Sequence, residues 1–171
     1  MRIQMVPYNP EWQQEFAREA AQLTNTLGEN VVAVHHIGST AIPNIYAKPV
    51  LDLLLVVRSV EALDDKQSEI EAQGYEARGE YGIPGRRFYR RDNSQGDRTH
   101  QIHAFEVGSP QIARHLAFRD YMIAHPDTAQ AYSDLKRTLA AQHPNDIEAY
   151  MDGKDDFIQE VDRRAARLST G

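Results

Sequence analysis

An α+β fold, a small mixed β-sheet flanked by helices with an all-helical C-terminal extension, is what this sequence predicts. Three observations carry that reading. Short β-branched and aliphatic runs at 31–37 and 50–57 are separated by Gly, Ser and Pro. A second pair of strand-like runs brackets a polar turn at 93–97. The final third shows only helical spacing of apolar residues, broken at Pro126 and Pro144. With 171 residues the chain is read as one domain, 1–171, with an α/β core over 1–108 and a helical part over 109–171.

The elements follow in order. Asn9-Pro10 reads as an N-cap followed by proline in the first turn, opening a helix to about residue 27. Trp12, Phe16, Ala20 and Leu23 share one of its faces. Val31 to Ile37 forms a strand that ends in Gly38-Ser39-Thr40, and Pro43 and Pro49 keep any following helix short. The run 50–57 is nearly continuous in aliphatics, as expected of a strand covered on both faces. Ser59 caps a helix reaching to about Gln73, and Gly74 ends it. Residues 75–81 are strand-like. Arg87 to Arg91 and Thr99 to Glu106 form an antiparallel pair. Helices over about 110–124, 127–142 and 146–166 complete the chain.

Composition narrows the function. The absence of cysteine excludes disulfides and thiolate zinc sites. The N-terminal residues lack the apolar run of a signal peptide, and the longest aliphatic stretch, 53–57, is far short of the roughly 20 residues of a membrane span. A cytoplasmic protein without a membrane partner is the expectation. A net charge of −6 disfavours nucleic acid as a partner. Arg86, Arg87, Arg90, Arg91 and Arg98 form a local basic run suited to a small anion. The competing reading is a solvated hairpin edge.

Four features carry chemistry. Asp52 interrupts an otherwise oily strand, and a buried carboxylate must be paired, hydrogen-bonded or metal-bound. Its neighbour on the same face is Leu54. Gly38 and Ser39 sit at a strand end, where glycine permits close approach of backbone to a ligand. Lys136 and Lys154 each lie four residues after a tyrosine, Tyr132 and Tyr150, on a helix face. Lys154 falls within the apolar stripe of Ile147, Tyr150, Met151, Phe157, Ile158 and Val161. These lysines are either snorkelling side chains or cationic tips aimed at a phosphate. Last, His100-Gln101-Ile102-His103 alternates, so only one of the two histidines can readily join Asp52.

These residues, in this order, resemble the GrpB family. The resemblance runs through Pro7-Tyr8-Asn9-Pro10-Glu11-Trp12, His36-Ile37-Gly38-Ser39-Thr40-Ala41-Ile42-Pro43 and Ala47-Lys48-Pro49-Val50-Leu51-Asp52. It continues in Arg86-Arg87-Phe88-Tyr89-Arg90, Thr99-His100-Gln101-Ile102-His103 and the Tyr132/Lys136 and Tyr150/Lys154 helices. The family is similar in fold to the nucleotidyltransferase superfamily. In active members of that superfamily the Gly-Ser turn holds a triphosphate, paired carboxylates on the next strand bind divalent metal, and a third comes from a later strand. The resemblance therefore implies a nucleotide or other phosphorylated small molecule as partner, and a divalent metal (Mg²⁺ or Mn²⁺) as cofactor.

Carried onto this chain, Gly38, Ser39, Thr40, Lys48, Arg87, Arg90, Tyr132, Lys136, Tyr150 and Lys154 would bind substrate or phosphate. Asp52 and His103 would be the catalytic pair and the metal ligands. The chain departs from the pattern at Leu54, which cannot bind metal, and at Gln101 and His103, which stand where an acid is expected. An Asp/His pair leans toward Mn²⁺ or Zn²⁺. Three readings follow: transfer of a nucleoside monophosphate to a small acceptor, a degenerate module that binds but does not turn over, and a metal-dependent hydrolase using Asp52 and His103 with His100 or His36.

Overall fold

The sheet is built on the strand containing Asp52. The computed structural model describes residues 3–170. Helix α1 (Glu11–Leu27) opens where the Asn9 side chain accepts the Glu11 N–H at 3.0 Å. It leads into β1 (Val31–Ile37), a single 3₁₀ turn (Ser39–Ala41) and β2 (Leu51–Val57). The helix anticipated from Ser59 to Gln73 is two short helices, α2 (Val60–Asp64) and α3 (Gln67–Glu71), with a break between them. The strand-like stretch 75–81 contributes only β3 (Glu76–Ala77), because Gly79, Tyr81 and Gly82 adopt positive φ and turn the chain. Strands β4 (Arg87–Asp92) and β5 (Arg98–Glu106) follow as a hairpin. Helices α4 (Pro110–Ala124), α5 (Pro126–Gln142) and α6 (Ile147–Thr170) complete the fold.

The strand order is β1-β2-β5-β4-β3. Only the central β2/β5 pair is parallel, so the sheet is mixed. Every residue of β2 except Asp52 is buried, which accounts for its aliphatic composition.

Two layers cover the sheet. On one face Leu51, Leu53, Leu55, Tyr89, Ile102 and Ala104 pack with Trp12 and Leu23 of α1, Leu63 of α2 and Ile70 of α3. On the other, Ile37, Leu54, Val56 and Phe105 pack with Ile112 and Leu116 of α4. A third cluster joins the loop residues Ile42 and Ile45 to Met122, Ala129, Tyr132 and Val161 of the C-terminal helices. The backbone N–H of Tyr46 donates to the Ser133 hydroxyl at 2.9 Å, tying that loop to α5. The loop after β1 is thus clamped to the helical part. Ile147 and Met151, expected on the apolar stripe of α6, are exposed. No helix among the described residues is long and apolar enough to cross a membrane.

Candidate functional site

The site lies where β1 ends, on the sheet face toward the C-terminal helices. Register places Asp52 opposite Ile37 on β1 and Gln101 on β5, with Leu54 opposite His103. Asp52, Leu54, Gln101 and His103 therefore share one face, and His100 and His36 belong to the other. Gly38 has φ 75°, and a Cβ there would lie 2.5 Å from Asp52 Oδ2. Only glycine lets the chain turn against that carboxylate.

The side chain of Asp52 is 23% exposed. Its Oδ1 accepts from His103 Nε2 at 3.0 Å. With the amide nitrogen of Gln101 turned toward it, the same oxygen accepts a second bond at 2.8 Å, and the Gln101 oxygen accepts from Arg98 at 3.2 Å. The other ring nitrogen of His103, Nδ1, lies 3.2 Å from Arg86 Nη1. A guanidinium has no acceptor, so Nδ1 must accept and the ring proton sits on Nε2, pointing at Asp52. Both nitrogens of His103 are spent, and the residue holds Asp52 in place. Buried Arg86 is itself fixed by the carbonyls of Glu80 and Tyr81.

Three lysines gather around this turn from three elements, and two of them, Lys48 and Lys154, feel the Asp52 charge. Lys136 of α5 is 1% exposed, and its ammonium donates to Ser39 Oγ at 2.7 Å. It lies 4.6 Å from the centre of the Tyr132 ring. Lys154 of α6 and Lys48 of the loop before β2 lie 4.9 and 5.1 Å from the centre of the same Tyr150 ring. None of the three forms a salt bridge among the described residues. Burial, reinforced by the fields of Lys154 and Lys48, lowers the Lys136 ammonium to about 7. Burial and then Lys48 lower Lys154 to about 8, with Asp52 opposing. Burial lowers Lys48 as well, opposed by Asp52 and assisted by Arg98. Burial pushes the hydroxyls of Tyr132 and Tyr150 up, the latter to about 12.

The convergence also involves Gly153, a residue outside the sequence motifs. The Leu139 side chain occupies the space a Cβ on Gly153 would need, so α6 packs tightly on α5. A mid-helix glycine costs roughly 1 kcal/mol relative to alanine, and its position beside Lys154 is the signal that could have revealed the contact.

Other expected residues are placed elsewhere. Arg87 makes a bidentate pair with Asp64 of α2, on the opposite face. Arg90 bonds Glu76 of β3, Arg91 bonds Glu19, and Arg98 bonds Asp92. The arginine run is therefore dispersed rather than one patch. Thr40 is buried, bonded by His36 Nε2 at 2.9 Å and donating to the Val50 carbonyl at 3.3 Å, and it braces the turn from within. Burial takes His36 down to about 4, opposed by Asp52. The His115 ring, 5.8 Å from that of His103, is likewise lowered to about 4 by burial and then by Arg114 and His103. Glu106 accepts the Val60 N–H at 3.1 Å and caps α2 away from the site.

The donor set does not match the divalent metal that the family resemblance implies. One carboxylate is present. Leu54, fully buried at the alternate position, supplies no oxygen. His103 has no free lone pair, and one oxygen of Asp52 already accepts two bonds. The other charged side chains gathered at the turn are those of Lys48, Lys136 and Lys154, which cannot ligate a metal while protonated. These residues do not fit a two-metal carboxylate site.

Residues 2–164 match the model of the GrpB protein family. The chain is 44% identical over 170 residues to the UPF0157 protein YqkA of Bacillus subtilis, covering 99% of this chain and 49% of that protein. It thus spans about half the length of that relative. It is 31% identical over 160 residues to the glutamate-rich protein GrpB of Alkalihalophilus pseudofirmus, covering 92% of each. The crystal structure of GrpB from Enterococcus faecalis superposes with a TM-score of 0.93 at 41% identity, covering 98% of this chain and all of that one. The likeness establishes the same α+β architecture.

Proposed function

The chain belongs to the GrpB family, and on that footing we propose that it binds a nucleotide or related phosphorylated small molecule between the Gly38-Ser39 turn and the C-terminal helices. The observation that carries this reading is Lys136. Among the described residues this buried amine has a serine hydroxyl and a tyrosine ring as partners and no carboxylate, a costly setting for its charged form. An anion arriving at Ser39 supplies the missing counter-charge. Lys48 and Lys154 provide further positive charge, and Gly38 lets the backbone come close. Thermal shift and calorimetric titration against nucleoside mono-, di- and triphosphates, coenzyme A precursors and sugar phosphates test it. A panel with no stabilising member removes the reading.

A second reading, nucleotidyl transfer, is favoured by the support around Asp52. His103 and Gln101 both donate to Oδ1 and fix the carboxylate next to the turn, as a group that orients or deprotonates an acceptor hydroxyl must be fixed. In this reading Asp52 is the catalytic residue and His103 a positioning residue. Purified protein incubated with labelled nucleoside triphosphates and small-metabolite pools should release pyrophosphate, and Asp52→Asn should abolish release while leaving binding within a few fold. Equal pyrophosphate release from both proteins, or none from either, rules out transfer and leaves the binding reading standing.

A further inference from the structure

We infer that Lys48, Lys136 and Lys154 take the place of divalent cations, so that this site holds its phosphate-bearing ligand without metal. The inference rests on the phosphate reading above and adds the form in which the ligand is recognised.

Three independent features support it. First, the charge count is inverted relative to a metal site. Three lysines and a single carboxylate gather around the turn, so basic groups outnumber acidic ones. A metal site needs an excess of carboxylate instead. A phosphate group carries roughly −1.5 to −2 at neutral pH, so one such group at Ser39 balances the cluster with no further cation. A magnesium ion brought in with the phosphates would restore the excess.

Second, the positions that would supply a second and a third ligand beside Asp52 are closed. Leu54 fills the place of a second carboxylate and is fully buried. The lone pair of His103 that could meet a metal is committed to Arg86, and its N–H to Asp52. Freeing that nitrogen would take from the buried Arg86 guanidinium one of its three partners, the others being the Glu80 and Tyr81 carbonyls.

Third, the lysines are placed by dedicated packing. Lys136 is held by Ser39 and the Tyr132 ring. Lys48 and Lys154 share the buried Tyr150 ring, which fixes two ammonium groups close together despite their repulsion. Gly153 brings α6 near enough for this. Surface lysines that merely snorkel have no need of such support.

The test is calorimetric titration of the intact protein with ADP and, separately, with inorganic pyrophosphate, each in EDTA and in excess Mg²⁺. The expected result is binding in EDTA that does not strengthen, and for pyrophosphate weakens, when Mg²⁺ is added. Lys136→Met should lower affinity in EDTA by about thirtyfold or more, the loss expected when one partner of a buried charge pair is removed. The same substitution should raise the melting temperature of the free protein, because it deletes an uncompensated buried charge. Lys154→Met, in a less buried setting, gives the same two signs if Lys136→Met does not fold. Binding that appears only with Mg²⁺ overturns the inference and leaves the phosphate reading intact. Binding in EDTA that neither substitution weakens also overturns it, since the ligand then sits elsewhere. No binding of either probe in either medium overturns both.

Discussion

The two faces of the central sheet bury charge in opposite ways. Under α1 and α3, Glu19 accepts from Arg91 at 2.8 Å and from the Tyr75 hydroxyl at 2.7 Å, and Arg91 reaches the His100 ring at 3.1 Å. Burial alone would raise the Glu19 carboxyl, but the bonds from Arg91 and Tyr75 outweigh it and hold it below its ordinary value. Burial and the Arg91 charge in turn lower the His100 imidazole. Glu19, Arg91 and His100 each have a partner within this network, which closes on itself. Across the sheet, Lys48, Lys136 and Lys154 crowd together with one carboxylate among them. A closed network needs nothing further and acts as structure. An open one is tolerated when something outside the chain completes it.

The sharpest way to break that comparison is to cut the closed network. Glu19→Gln leaves the Arg91 guanidinium without its carboxylate and weakens the bond from Tyr75. Destabilisation of about 3 kcal/mol is expected, the usual scale for removing one partner of a buried pair. Ligand affinity should stay unchanged. Urea denaturation reads the first and titration the second. A Glu19→Gln protein as stable as the parent would mean that the paired face is no more structural than the lysine face.

The next effect is a pH dependence belonging to the lysine face alone. A lysine whose folded-state pKa is depressed keeps its proton in the unfolded chain over a range where the folded chain has lost it. Stability then rises with pH between the two values. For Lys136 the range opens at about 7, and for Lys154 at about 8. Both close near the ordinary lysine value of about 10.4. The groups facing Lys136 are Lys154, Lys48, the Tyr132 hydroxyl and Ser39; Asp52 opposes the shift at Lys154 and Lys48. From both lysines together the free protein should gain on the order of 3 to 4 kcal/mol between about pH 7 and pH 9. Above about pH 10 the raised hydroxyls of Tyr75, Tyr89 and Tyr132 reverse the sign, because the unfolded chain then loses protons that the fold retains. Melting curves across this range, with Lys136→Met flattening the rise, check it. An equally steep rise in the variant would assign the effect to other groups.

Much of this was legible in the sequence, and the rest was hidden for identifiable reasons. Periodicity gave β1, β2, the β4/β5 hairpin and the three C-terminal helices within a few residues, because each is long and strongly patterned. It failed at 59–77, where two short helices and a two-residue strand are set by tertiary packing of Leu63, Ile70 and Tyr75 rather than by local preference. Strand alternation allows only one of His100 and His103 to join Asp52, and the β2/β5 register, which no linear pattern gives, makes it His103. The tyrosine-lysine spacing flagged Lys136 and Lys154, because a charged residue inside an apolar stripe is visible one-dimensionally. What no linear pattern reveals is partner choice. Five arginines close in sequence read as one basic patch, yet alternation and turns send each to a different carboxylate, carbonyl or ring.

That dispersal supplies the smallest and most discriminating effect. Arg87 donates to both oxygens of Asp64, at 2.8 and 3.1 Å, with both side chains partly exposed. Arg90 meets Glu76 at 3.3 Å beside the exposed Tyr81 ring. Exposed pairs of this kind contribute under about 1 kcal/mol. Arg87→Ala and Arg90→Ala should therefore shift stability by no more than that. Neither should change the affinity for a phosphorylated ligand, because Arg87 points to the α2 side of the sheet and Arg90 is committed to β3. Titration of the double variant decides the matter. A tenfold loss of affinity would mean that the ligand extends over the β4 edge, and that the anion site is shared between the arginine hairpin and the lysine helices instead of resting on the lysines alone.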